Sequence, residues 1–284
     1  MVRGLMSRLI DVMHLGNDRV IGAYDVDGVI VDPGPGSTVE TLLEHAEPRA
    51  LLLTHIHLDH AGATGVLVRR NPDLKVYVHE RGAPHLIDPS KLLKSASQLY
   101  GDDMERLWGE VAPVPEENIT VLQGGERIED DFLVEYAPGH ASHHVAYLHE
   151  PTGDAYVGDV GGVRVPPSDF GIAPTPPPDI DVEKWHASID TVAAWRPQRL
   201  GLTHFGYVDD VDGQLDRTRA WLDEWGPRAR DLSSEEFVAQ VEALVRSEIG
   251  DEAGDRFVQA APLDHSYMGL ARYWKKRAER DAGS

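Results

Sequence analysis

Leu51-Leu52-Leu53-Thr54-His55-Ile56-His57-Leu58-Asp59-His60 decides how this chain is read. Ala50 to Thr54 is an apolar run without alternation, the pattern of a strand buried on both faces. At an extended exit from that strand, His55 and His57 stand two residues apart and project to the same side. The chain must then turn into a helix beginning near Ala61, and the turn swings Asp59 and His60 to a second position close by. One short stretch, HxHxDH, thus seeds two adjacent metal sites. Histidine makes up 14 of the 284 residues, and three histidines and an aspartate at this spacing arise by chance in roughly three or four such chains in a thousand. Histidines scattered over a solvated surface do not account for it.

The motif supplies four ligands, too few for two metals, so the others are expected at the ends of later strands. Tyr136-Ala137-Pro138-Gly139-His140 puts a histidine at a strand exit, followed by His143 and His144. Ala155-Tyr156-Val157-Gly158-Asp159 puts a carboxylate in the same setting, and Leu200-Gly201-Leu202-Thr203-His204 another histidine. Ligands that emerge at one rim of a sheet are what a shared site requires. The chain has no cysteine, which excludes disulfides and thiolate sites. Imidazole and carboxylate must hold any metal, and they suit Zn2+, and also Fe or Mn, in an open catalytic site.

Around these strand ends the patterns are uneven. Val20 to Tyr24 and Val29 to Val31 read as short strands joined by a turn at Asp25-Val26-Asp27-Gly28. Asp32-Pro33-Gly34-Pro35-Gly36 breaks the chain, and Ser37 or Thr38 is placed to cap a helix through Ala46, with Glu40 reaching back. A helix over residues 62–70 leads to a strand at Lys75 to Val78. Lys91 to Trp108 is helical in pattern with few apolar positions, which puts it on the surface. Strands follow at Phe132 to Tyr136, Val145 to Leu148 and Ala155 to Val157, the last two joined by the hairpin turn Pro151-Thr152-Gly153-Asp154. A long, proline-stiffened loop runs from Pro166 to Pro178, then a helix over Asp181 to Trp195 and a final strand at Arg199 to Thr203. Beyond Asp209 only helices are expected. Leu215 to Trp225 is amphipathic. Ser233-Ser234-Glu235-Glu236 opens a second helix with a capping box and the stripe Phe237, Val241, Leu244, Val245, and a third spans Tyr267 to Arg280. The chain thus divides into an α/β core over residues 1–208 and a helical extension over 209–284, placed to cover the site.

Taken in order over residues 20 to about 206, Asp32-Pro33-Gly34, the HxHxDH run, His140, Asp159 and His204 resemble the motifs of the metallo-β-lactamase superfamily. The resemblance implies an αββα sandwich with metals at one edge of its two sheets. It implies that His55, His57 and His140 bind one metal, that Asp59, His60 and His204 bind a second, and that Asp159 bridges them, with Asp32 structural. The set is similar to the glyoxalase II and lactonase groups rather than to true β-lactamases, which lack the bridging aspartate. The implied cofactors are two divalent metal ions, Zn2+ first and Fe or Mn next. Two cations sharing a water lower its pKa towards neutrality, and the bridging hydroxide attacks a polarised carbonyl whose oxyanion the metals stabilise. The implied activity is a binuclear metal-dependent hydrolase acting on an ester-like bond, thioester or lactone, of a small molecule. Asp59 is its catalytic carboxylate, orienting the nucleophile or passing a proton to the leaving group. A mononuclear iron persulfide dioxygenase and a phosphodiesterase are the alternatives within the superfamily.

Charge limits the partners. With 27 basic and 48 acidic residues the formal net charge is −21, and that field repels a nucleic-acid backbone. The basic run Lys275-Lys276-Arg277 is flanked by Glu279 and Asp281 and reads as a solvated helix end. Met1 to Leu15 carries Arg3 and Arg8 but no apolar run of signal-peptide length, and no stretch reaches the roughly 18 apolar residues of a membrane helix. The expectation is a cytoplasmic protein with a small-molecule substrate and neither nucleic-acid nor membrane partner. Substrate contacts are expected at Arg164 in the loop after Asp159, at Tyr207 just past His204, and at His265 in the extension. His144 is expected to support its loop, His143 to be exposed, and His79, His85, His149 and His186 to be structural.

Overall fold

Two six-stranded sheets carry the architecture of the computed structural model, which describes residues 7–129 and 131–282. Arg3, named above, lies outside them. The first sheet runs in chain order: β1 (Ser7–Asp11), β2 (Gly22–Val26), β3 (Val29–Val31), β4 (Ala50–Leu52), β5 (Lys75–His79) and β6 (Ile119–Leu122). The second contains β7 (Arg127–Ile128), β8 (Phe132–Tyr136), β9 (Val145–His149), β10 (Asp154–Tyr156), β13 (Arg199–Leu202) and β14 (Gly206–Val208), in the order β14-β13-β10-β9-β8-β7. A two-stranded ribbon, β11 (Val163–Arg164) and β12 (Gly171–Ile172), stands apart.

Period-two alternation sorts the side chains between two cores. Val29, Val31, Ala50 and Leu52 pack with Phe132, Val134, Val145 and Tyr147 between the sheets. Their neighbours Ile30, Leu51 and Leu53 belong to the larger outer core with Leu42 of α1 (Val39–His45) and Leu67 of α3 (Thr64–Arg70). On the second sheet, Ala155, Leu200 and Leu202 lie in that outer core with Trp185, Ile189 and Val192 of α7 (Val182–Ala194). The layers are therefore αββα. The hairpin joining β2 to β3 pairs Val26 with Val29. Its two central residues, Asp27 at φ 50 and Gly28 at φ 82, take the left-handed conformation that a tight two-residue hairpin needs.

Strand direction places the site. β9 is antiparallel to both β8 and β10, and β10 is parallel to β13. Strands β8, β10 and β13 consequently end at the same rim, and the segments carrying His140, Asp159 and His204 leave the sheet there. Short α2 (Leu58–Ala61) follows β4 directly and supplies the turn that separates His55 and His57 from Asp59 and His60.

Several elements differ from expectation. β1, β6, β7 and β14 carry no clear alternation; all four are edge strands, and most residues of β1 and β6 are only partly buried or exposed. Arg199–Leu202 is thus not the final strand. Thr38 does not cap α1 with its side chain; its hydroxyl donates to the Pro35 carbonyl, 3.1 Å away, within a tight 3-10 turn. Lys91 to Trp108 is not a plain surface helix. After the short α4 (Ala83–Ile87), it divides at Gly101 into α5 (Ser90–Tyr100) and α6 (Met104–Trp108), and Ala96 and Trp108 bury with Leu58 in a small core over α2.

Three helices complete the described chain: α8 (Val211–Asp231), α9 (Ser234–Ala260) and α10 (Leu263–Ala282). Ser233 and Glu236 form the expected reciprocal capping box. Phe237, Val241, Val245, Phe257 and Leu270 join the same outer core as the sheets, and the ring of Phe257 lies 5.6 Å from that of Phe170. Among the described residues no helix is long and apolar enough to cross a membrane.

Candidate metal centre

The centre is built outward from Asp32, a fully buried residue held at φ 50 just after β3. Its Oδ1 accepts the Thr54 amide at 2.8 Å, and its Oδ2 accepts the hydroxyls of Thr54 at 2.7 Å and Thr203 at 3.0 Å. Since Thr54 follows β4 and Thr203 follows β13, one carboxylate ties the two sheets together at their common rim. Its Oδ2 also lies 2.8 Å from His60 Nδ1. Comparable supports orient three of the other four rings: His140 Nδ1 to the Pro174 carbonyl at 2.9 Å, His204 Nδ1 to the Val20 carbonyl at 2.6 Å, and His55 Nδ1 to Thr54 Oγ1 at 3.1 Å. Fixing Nδ1–H in this way leaves each Nε2 lone pair facing inward, the tautomer a metal ligand needs.

Two clusters of ligand atoms result: His55, His57, His140 and Asp159 in one, Asp59, His60 and His204 in the other, each within 4.8 Å. Asp159 stands between them. Its Oδ2 is 3.2 Å from His140 Nε2, while Oδ1 is 3.2 Å from His60 Nε2 and 3.6 Å from His204 Nε2. Asp59 Oδ2 lies 3.3 Å from His204 Nε2 and 3.7 Å from His60 Nε2. Ligands at about 2.0–2.1 Å from a tetrahedral cation sit roughly 3.3 Å from one another, so the spacings suit a metal ion. The hydrogen-bond accounting agrees. His55 Nε2, His60 Nε2, His204 Nε2 and Asp159 Oδ1 are buried without a hydrogen-bond partner, a costly arrangement unless something binds them.

Electrostatics divides the cluster. Burial, reinforced by His140, holds His57 down at about 4, and burial with the neighbouring imidazoles holds His55 well below the ordinary histidine value. Burial acts the same way on His60 and His204, but the facing carboxylates outweigh it and raise both. Asp159 is kept well below the carboxylate range, because three imidazoles overcome its burial. His60 and His204 would give up those protons to a bound cation.

A cavity of about 260 Å³ opens over Asp59 and Asp159. One wall is α5, through Leu92, Ala96 and Tyr100. A second is the strap Pro174–Pro178, and a third is the junction of α9 and α10, through Pro262 and His265. The strap is anchored to the extension: Thr175 Oγ1 donates to the Ser266 carbonyl at 2.9 Å, and Gly269 packs so closely that a Cβ would overlap the Thr175 carbonyl.

The profile of the Metallo-beta-lactamase superfamily matches residues 20–204. The chain belongs to the metallo-β-lactamase superfamily. A hydroxyacylglutathione hydrolase of Hamiltonella defensa is 33% identical over 129 residues, 43% of this chain. The match spans only 39% of that relative's length. The metallo-beta-lactamase fold-containing protein ST1585 of Sulfurisphaera tokodaii is 23% identical over 236 residues, 80% of each chain. The crystal structure of ST1585 superposes with a TM-score of 0.73 at 21% identity, covering 93% of this chain and 97% of that one. The superfamily protein TTHA1429 of Thermus thermophilus gives a TM-score of 0.66 at 18% identity over 98% and 95%. Both superpositions are too extensive to leave out the helical C-terminal region, so it is part of the shared fold.

Within this metallo-β-lactamase fold, two expected substrate contacts lie elsewhere. Tyr207 is in β14, which returns antiparallel to β13, opposite Gly201. Alternation turns its ring towards the inter-sheet core, where it meets Tyr24, the hydroxyl of Ser7 and the Arg199 guanidinium. Arg164 is in the β11 ribbon; its amide donates to the His204 carbonyl at 2.7 Å, but its guanidinium turns to Asp169, and it does not line the cavity. His265 does line it, with its ring 5.1 Å from that of Tyr100. His143 is half-buried rather than exposed: it lines the cavity with its ring 5.8 Å from that of His57. His144 is fully buried, stacked 4.9 Å behind His55. His85, expected to be structural, also reaches the cavity. Tyr100 escaped notice because a lone aromatic in a mostly polar helix looks like a surface residue.

Proposed function

We propose that this chain is a binuclear metal-dependent hydrolase of an ester-like bond, thioester or lactone, in a small molecule. The observation that carries the proposal is the pair of buried ligand clusters with unpartnered Nε2 and Oδ1 atoms at the floor of a cavity. In it, His55, His57 and His140 hold one cation, Asp59, His60 and His204 hold the other, and Asp159 joins them. Zn2+ is the proposed ion, with Fe or Mn fitting the same donors. Divalent cations bound there supply Lewis acidity and a water of lowered pKa.

The chain's own groups do the rest. Asp59 is the most exposed of the three acids around the centre, its side chain 21% accessible against 5% for Asp159 and 1% for Asp32. It is therefore the group that can orient an incoming water and carry its proton to the leaving atom. The walls of α5, the proline strap and the α9–α10 junction exclude bulk water and hold the carbonyl over the floor. His265 and Tyr100 offer polar groups to substrate from those walls. A mononuclear iron site of three ligands would leave Asp59, His60 and His204 without employment, which favours hydrolysis over persulfide oxidation.

The test is hydrolysis of a thioester and lactone panel by protein of measured metal content, with Asp159→Ala and His55→Ala beside it. Turnover by the wild type with two metals per chain, lost in both variants while each stays folded, is expected. Wild-type turnover in Asp159→Ala of verified composition refutes the joint role of Asp159. One iron per chain with oxygen consumption, or cleavage of bis-p-nitrophenyl phosphate alone, redirects the assignment to oxidation or phosphodiester hydrolysis.

A further inference from the structure

The cavity is charged unevenly. Arg81, His85 and Lys91 all line it, and all come from one short stretch between β5 and the first turn of α5. Elsewhere in this acid-rich chain most arginines are held by carboxylates, among them Arg49 by Glu129, Arg69 by Glu110, Arg70 by Glu40 and Arg199 by Asp154. Among the described residues, the side chains of Arg81 and Lys91 make no ion pair, although both are exposed at the cavity. The acid that feels Lys91 and His85 is Asp88, which already accepts the amide and hydroxyl of Ser90. Asp88 does not itself line the cavity; beyond Asp59 and Asp159 on the floor, the lining carboxylate is Asp179, which is engaged by the Ser142 hydroxyl. In a chain of net charge −21, two unpaired cations converging on one edge of a cavity form a local positive field against a repelling background. The same lining includes an apolar set: Leu92, Ala96 and Leu99 on α5, and Pro176 and Pro177 on the strap.

We propose that the substrate is an amphiphilic anion. Its apolar arm lies between α5 and the proline strap, its carbonyl sits over Asp59 and Asp159, and an anionic group meets Arg81 and Lys91, with His85 as a further donor. For the bond cleaved, this rests on the hydrolase proposal above; for the charge and the apolar arm it rests on the cavity alone. Anionic substrates would be drawn in by steering as well as by contact, so the preference should weaken with salt.

Three thioesters test it on the metal-loaded protein: hexanoyl-N-acetylcysteamine, which is neutral; hexanoyl-3-mercaptopropionate, with the charge on the thiol side; and adipoyl-N-acetylcysteamine, with the charge on the acyl side. Expected is a KM for at least one anionic ester about tenfold below that of the neutral one, with the ratio falling to near one in Arg81→Gln/Lys91→Gln. Lys94→Gln removes the same charge from an exposed position on α5 that does not line the cavity, and should leave the ratio as it is. Equal KM values across the panel, or a ratio that survives the double substitution, overturn the proposal. If none of the three is cleaved, the thioester branch of the hydrolase reading fails separately. Calorimetry with the uncleavable thioethers S-hexyl-3-mercaptopropionate and S-hexyl-N-acetylcysteamine then decides the charge preference: tighter binding of the anion that is lost in the double variant upholds it, and equal binding overturns it.

Discussion

Asp32→Asn changes one buried atom and should damage either the fold or the metal centre. The carboxylate accepts four hydrogen bonds, from the Thr54 amide, the Thr54 and Thr203 hydroxyls and His60 Nδ1. An amide has one acceptor oxygen, so one side of the network must fail. If the new NH2 faces the Thr54 amide, two donors meet, and a buried N–H goes unsatisfied at a cost of about 1–3 kcal/mol. If it faces His60 instead, Nδ1 must turn acceptor, and the proton moves to Nε2, where it blocks metal binding. The hydroxyls can rotate and absorb the change; the amide and the imidazole cannot. We expect metal-free Asp32→Asn to unfold in urea with a loss of about 1–3 kcal/mol, or else to bind Zn2+ about 10–100-fold more weakly in a competition titration, the range found when a ligand's support is removed. A variant with wild-type urea midpoint and wild-type zinc affinity would refute the view that Asp32 organises the rim.

Chelating the metals should lower the thermal midpoint by about 5–10 °C, since a ligand at 100 times its Kd adds about 2.7 kcal/mol and each kcal/mol moves a chain of this size about 2–4 °C; an unchanged midpoint in a scan with chelator would argue against bound ions. Burial lowers His149 from the ordinary value of 6.5, so as pH falls through that value the unfolded chain takes a proton that the folded ring refuses, and stability drops. The advantage of the wild type over His149→Gln should therefore shrink between about pH 7.5 and 5, and a pH-independent difference in urea midpoints would contradict this. Ser233→Ala removes the capping box at the start of α9 and should cost about 1 kcal/mol in the same assay, with no change in metal content.

The parts of this molecule that were legible in its sequence are those where chemistry dictates residue type. Cation binding demands histidine and aspartate, and strands buried on both faces demand apolar runs, so the HxHxDH stretch and the exits at His140, Asp159 and His204 announce themselves together. The cavity walls gave no such signal. A helix such as α5 divides its apolar side between a small core and a cavity, and its sparse Leu92, Ala96 and Leu99 look like the thin stripe of a surface helix. Position along the chain also misled: Arg164 and Tyr207 are close to ligands in sequence, but the ribbon turns one to Asp169 and strand alternation turns the other between the sheets. Of the edge strands, β7 with two residues is too short for a period to show, and β1 sets its two apolar residues, Leu9 and Ile10, side by side.

One consequence follows from the way the proline strap is fastened. Pro174 orients His140 through its carbonyl, while its neighbour Thr175 is bonded to α10. The tail of the chain therefore holds, at one remove, the lone pair of a residue in the first cluster. A protein cut off after residue 208 would keep every histidine and aspartate of the centre yet lose the bracket that aims one of them. Shortened forms of this protein should be judged by how well they retain added ions rather than by whether they fold.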